Sequence, residues 1–137
     1  MLKKTIVYKD WNDVERTEDH YFNLDKREVV KLQSSVKGGL DVHVKAIAAG
    51  MNGAGIMEFF ENFIRMSYGV KSEDGRRFMK SDEISREFME TRAYDVLFEE
   101  IVTDAKAAAA FFNAVMPADL DEFAAKIEKA NAAATSN

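Results

Sequence analysis

Ile56-Met57-Glu58-Phe59-Phe60-Glu61-Asn62-Phe63-Ile64-Arg65-Met66-Ser67-Tyr68-Gly69 is the stretch on which the fold turns. Ile56, Phe59, Phe60, Phe63, Ile64 and then Ser67 and Tyr68 recur at helical spacing, while Glu58, Glu61, Asn62 and Arg65 fall between them. That spacing puts an apolar stripe on one side of an α-helix and the polar groups on the other. Gly69 is the expected stop, because glycine takes the left-handed conformation that closes helices. A stripe this rich in phenylalanine must be covered by other parts of the chain.

Downstream, Ser81 followed by Asp82 and Glu83 reads as an N-cap with an acidic first turn, and Ile84 and Phe88 give that short helix its apolar side. Thr91 is placed to cap a further helix carrying Tyr94, Leu97, Phe98, Ile101 and Val102. Thr103 and Asp104 offer another cap, so the chain is expected to bend there into a helix with Ala108, Phe111, Phe112 and Val115, ended by Pro117. A last amphipathic segment holds Leu120, Phe123 and Ile127, and residues 131–137 are expected to fray. Residues 70–80 read as a polar, turn-rich connection around Asp74 and Gly75.

Upstream, Ile6, Tyr8, Val14, Tyr21 and Phe22 supply β-branched and aromatic residues on either side of Asp10-Trp11-Asn12-Asp13, which is rich in turn formers. Two antiparallel strands at about 4–23 follow, and they must lie on something, since an isolated hairpin is marginal in water. Asp25 and Glu28 have the spacing of a capping box before Val29, Leu32 and Val36. Gly38 and Gly39 end that helix, and a second piece through Val42, Ala46 and Ile47 leads to the glycines at 50, 53 and 55.

The expected fold is mainly α: an N-terminal β-hairpin packed on a compact bundle of five to seven short helices at about 25–130, in a single domain spanning residues 1–130. The 137 residues suffice for one core, and 47% hydrophobic residues with one proline favour regular structure. No uncharged apolar run approaches the roughly 20 residues that span a bilayer. The apolar stretch near the N-terminus is cut short by Lys9 and Asp10, so a cytoplasmic protein is expected.

The absence of cysteine excludes disulfides, thiolate nucleophiles and Cys-ligated zinc. Only His20 and His43 are present, neither in a nucleophile turn nor in a zinc-binding helix, and each reads as an ordinary surface or boundary histidine. The acids Glu99, Glu100, Asp119, Asp121 and Glu122 read as solvated faces and helix caps. Gly50, Gly53 and Gly55 read as an interhelical turn rather than a phosphate cradle, since they follow a helical piece and lack a Lys-Ser/Thr ending. No catalytic, metal-binding or cofactor-binding residue is assigned, and the function is expected to be binding.

A net charge of -5 disfavours general affinity for nucleic acid or anionic membrane. Lys71, Arg76, Arg77 and Lys80 nevertheless form a basic cluster with Phe78 among them. These five residues are the candidate partner-binding set. Docking against an acidic partner or against the protein's own helices is the leading reading, and a small nucleic-acid-binding regulator that uses the 71–80 loop is the alternative.

Ser67-Tyr68-Gly69-Val70-Lys71-Ser72-Glu73-Asp74-Gly75-Arg76-Arg77-Phe78-Met79-Lys80-Ser81, with Phe88, Thr91-Arg92-Ala93-Tyr94, Leu97-Phe98, Thr103-Asp104-Ala105, Phe111 and Pro117, resembles the tail assembly chaperones of long-tailed, siphovirus-type bacteriophages. Glu15-Arg16-Thr17-Glu18, Tyr21-Phe22-Asn23-Leu24 and Gly38-Gly39-Leu40 are also similar to that family, and the Ala-rich tail lies outside the resemblance. The resemblance implies a non-enzymatic assembly factor without cofactors in the cytoplasm of the infected host. Its implied partners are the tape measure protein and the major tail tube protein. A homo-oligomer and a longer form made by frameshifting also belong to that picture.

Overall fold

The computed structural model describes residues 1–35 and 54–117. Expectations for Val36, the glycines at 38, 39, 50 and 53, His43, the acids at 119, 121 and 122, and the segment with Leu120, Phe123 and Ile127 lie outside those residues. Along the described chain run β1 (Leu2–Lys9), β2 (Glu15–Phe22), α1 (Lys26–Ser35), α2 (Ala54–Ser67), β3 (Tyr68–Lys71), β4 (Phe78–Met79), α3 (Asp82–Met89), α4 (Arg92–Thr103) and α5 (Ala105–Val115). The strands form one antiparallel sheet in the order β1-β2-β3-β4.

The expected N-terminal hairpin is present, but it is half of a four-stranded sheet. Residues 70–80, read as a connection, instead contain a second hairpin, so the strand share is larger than a mainly α description suggests. Tyr68 likewise leaves the helical stripe and starts β3. The cause is pairing with a distant strand: Tyr68 lies opposite Phe22, Gly69 opposite Tyr21, and Asn23 N–H donates to Ser67 O at 2.8 Å. Partners on β2 outcompete the continuation of the helix, which local periodicity cannot register.

The first hairpin turns through a tight loop organised by Asp10. Its backbone N–H donates to Val14 O at 2.9 Å, and its carboxylate accepts from the N–H groups of Asn12 and Val14 at 2.8 and 3.0 Å and from Arg16 Nε at 2.6 Å. Asp13 completes the turn at φ 59°, a left-handed conformation that Asp tolerates better than bulkier residues. Val14, read as a strand residue, belongs to this loop and is exposed.

Alternation along the strands gives the sheet two unlike faces. Ile6, Tyr8 and Phe22 point inward and are buried under the helices. Helix α4 packs on β1, α3 on β3, and α2 lies against α3 and α4. The core is aromatic. Phe22 meets the rings of Tyr68, Phe88 and Phe111 at 5.6, 5.8 and 5.2 Å, and Phe63 of α2 stacks on Phe112 of α5 at 5.1 Å. Phe59, Phe60, Phe63 and Ile64 are all buried, as the opening stripe requires.

The helix starts follow their capping residues. Asp25 and Glu28 make the reciprocal bonds of a capping box, Glu28 N–H to Asp25 Oδ1 at 3.0 Å and Asp25 N–H to Glu28 Oε1 at 3.1 Å. Ser81 and Thr91 accept from the N–H groups of Ile84 and Tyr94, and Asp104 accepts from those of Lys106 and Ala107. Helix α5 ends at Val115, two residues ahead of Pro117.

Candidate partner-binding surface

The second hairpin is closed by a loop that is bonded within itself. Ser72 N–H donates to Arg77 O at 2.9 Å and Gly75 N–H to Ser72 O at 2.9 Å. Asp74 Oδ1 accepts from Ser72 Oγ at 2.7 Å and from Arg76 N–H at 3.1 Å, and Arg77 N–H donates to Ser72 Oγ at 3.0 Å. The Ser72 hydroxyl first, and then the Arg76 N–H, hold the Asp74 carboxyl below its ordinary pKa. Gly75 sits at φ 73°, where a side chain would be strained. The loop thus presents Arg76 and Arg77 from a fixed backbone, and both side chains are exposed.

Beside this loop, the outward face of the sheet carries two aromatic residues, Tyr21 and Phe78. Gly69 is paired with Tyr21 across β2 and β3, and the Phe78 ring of β4 lies directly on Gly69. A Cβ at position 69 would come within 2.6 Å of Phe78 Cε2 and 3.0 Å of Met79 O, so the absence of a side chain makes the seat for the ring. Lys71 opposes Phe78 in the register and extends its Nζ over the Tyr21 ring, 4.2 Å from the centroid. Both rings remain partly exposed. Arg77 reaches the other way, its Nη2 3.1 Å from Met79 Sδ.

Of the five residues singled out in the sequence, the structure brings Lys71, Arg76, Arg77 and Phe78 together on the second hairpin. Lys80 is engaged inside the molecule: its Nζ donates to Glu28 Oε1 and Oε2 at 2.8 Å and to Asn23 O, tying the end of β4 to the start of α1. Its Nζ also lies 5.7 Å from the Phe78 centroid. Tyr21 escaped the sequence reading because it lies about 50 residues from the basic cluster and joins it only through strand pairing. The one local signal for this hairpin is the pair of short apolar segments, Val70 and Phe78-Met79, flanking Asp74-Gly75.

Where β2 and β3 part beyond Tyr21, they leave a cleft of about 610 Å³ lined by Glu18, His20, Tyr21, Tyr68 and Lys71 among others. His20 faces inward against the Phe88 ring at 4.9 Å, and its Nε2 is buried without a hydrogen-bond partner. Burial lowers its pKa, against the opposing pull of the Glu18 carboxylate 3.5 Å away. Glu18 is itself bonded by the Tyr8 hydroxyl at 2.6 Å. Burial first, and then that bond, push the Tyr8 pKa to about 12. This arrangement supports the sheet from beneath: His20 and Tyr8 are braced by rings and by Glu18. Glu100 accepts from Lys4 Nζ at 3.1 Å, while Glu99 is exposed. No group of three or more His, Asp or Glu among the described residues is placed to hold a metal ion, and no helix there is long and apolar enough to cross a membrane.

No curated protein and no solved structure matches the chain. The family model described as "Phage tail assembly chaperone" matches residues 1–137, which includes the Ala-rich tail that the motif resemblance left out. This chain belongs to the phage tail assembly chaperone family.

Proposed function

We propose that the protein is a non-enzymatic chaperone that binds the tape measure protein of a long-tailed phage and helps recruit major tail tube subunits around it, acting in the cytoplasm of the infected bacterium. The observation that carries this reading is the family match over the whole chain. The composition of the surface supports it. Among the described residues most of the phenylalanines are used in the core, which leaves a charged and partly aromatic exterior there for binding. The part of that exterior best arranged for a partner is the second hairpin, where a self-bonded loop exposes two arginines and Lys71 lies over the Tyr21 ring. A fixed backbone reduces the entropy lost when a client is bound. The client is long, and several copies of the chaperone along it would accompany this role, together with any longer frameshifted form.

Co-expression with the tape measure protein encoded by the same phage, followed by pull-down, tests the proposal. Recovery of a complex is expected; absence of association with both tape measure and tube protein would sink it.

A further inference from the structure

We propose that the tip and outward face of the β3–β4 hairpin, where Lys71 lies over the Tyr21 ring opposite Phe78 and the adjoining loop exposes Arg76 and Arg77, dock an acidic amphipathic segment of the client. This rests on the reading that the protein has a protein client, and it names the surface and the chemistry that meet.

Charge complementarity selects the occupant. On a chain with net charge -5, many cations elsewhere are matched by the chain's own carboxylates, among them Lys4 by Glu100, Arg16 by Asp10, Lys80 by Glu28 and Arg92 by Asp13, while among the described residues Lys9, Lys31 and Lys106 stand singly, each apart from the 71–77 cluster. Lys71, Arg76 and Arg77 have no carboxylate within ion-pair distance among the described residues, although Glu73 and Asp74 stand on the same loop. Asp74 is turned to Ser72 Oγ and the Arg76 N–H, which leaves Glu73 as the only other acid at the tip. The rings supply what the charges lack. On the same face, the Phe78 ring seated on Gly69 and the Tyr21 ring of the strand opposite are both partly exposed and offer apolar surface on which one client side chain can rest. A segment with carboxylates flanking an apolar residue satisfies both features.

A nucleic acid fits less well. Its phosphates recur along the strand and need a continuous positive track. The same sheet face instead runs from Lys71 and Tyr21 to Asp19, whose carboxylate is engaged by Thr5 at 2.6 Å and Lys3 at 3.7 Å, and on to the exposed Glu15. The positive field is therefore short and bounded by acid.

The test uses the full chain, followed by amide NMR shifts. The probes are a peptide of about 20 residues with Glu and Leu at helical spacing, the same peptide with Lys for Glu, and an oligo-dT strand of about 20 nucleotides. The acidic peptide is expected to shift the amides of Tyr21, Gly69, Lys71 and Phe78. Lys71→Glu combined with Arg76→Glu and Arg77→Glu should weaken it at least about tenfold. A thermal melt confirms that the triple variant is folded, and Phe78→Ser alone gives a second reading that leaves the charges in place. Shifts confined to another surface, equal binding of the basic peptide, tighter binding of oligo-dT, or an undiminished triple variant would each overturn the proposal. Capture of the tape measure protein by wild type and triple variant alike would also remove this surface, while leaving the chaperone reading intact. Failure of wild type to capture it would count against that reading, and the peptide titration judges the surface independently.

Discussion

The two hairpins of this protein use one motif in opposite ways. The first has eight-residue strands, and its tip is folded back onto the helices: Trp11 Nε1 donates to Glu90 O at 3.1 Å, and the Arg92 guanidinium lies 5.2 Å from the Trp11 ring. Arg92 also reaches Asp10 O and Asp13 Oδ1. The second has strands of four and two residues, and its tip bonds to itself and offers its cations outward. A tip that contacts the body contributes to stability; a tip that does not is free to contribute to recognition.

The largest effect is expected at the root that both hairpins share. Phe22 is fully buried against Tyr68, Phe88 and Phe111, and Phe22→Ala should cost about 3–5 kcal/mol in urea unfolding. Gly69→Ala comes next. The added methyl meets both the Phe78 ring and the Met79 carbonyl, so a loss of about 1–3 kcal/mol is expected, with altered signals from Phe78. Trp11→Ala removes one hydrogen bond and a cation–π contact at a largely exposed site, for about 1 kcal/mol.

Acidification should produce a shallower change. The folded protein holds the His20 pKa below its ordinary value of about 6.5, so between those two pKa values the unfolded chain binds more protons. Stability from this group is full above about pH 6.5 and falls as pH drops toward the folded pKa. Unfolding midpoints followed from pH 7 to 5 should therefore decline, and His20→Phe should flatten that decline. The smallest effect is expected at the second tip: Arg76→Ala with Arg77→Ala should move stability by no more than about 0.5 kcal/mol. A larger loss there would erase the contrast between the hairpins.

What the sequence disclosed and what it hid divide by range. Asp25 with Glu28, Ser81, Thr91 and Asp104 all act within one helical turn, and each caps the helix it was expected to cap. The stripe from Ile56 to Ile64 was legible for the same reason. The β3–β4 hairpin was not, because its short strands lack enough alternation to register and are fixed by Tyr21 and Phe22 far upstream. The candidate surface shows the same division. Its cations were visible as a local cluster, whereas the inclusion of Tyr21 and the inward engagement of Lys80 with Glu28 both depend on tertiary pairing.

The early parting of β2 from β3 also bears on solubility. Only Tyr21 and Phe22 pair with β3, so among the described residues Glu15, Arg16, Thr17, Glu18, Asp19 and His20 are paired on the β1 side alone. A free strand flank is a template for edge-to-edge association, and charged side chains are the usual deterrent. Here nearly every residue of that flank is charged or polar. The charges along this flank thus guard the row of backbone groups that its β3 side would otherwise offer to a second chain.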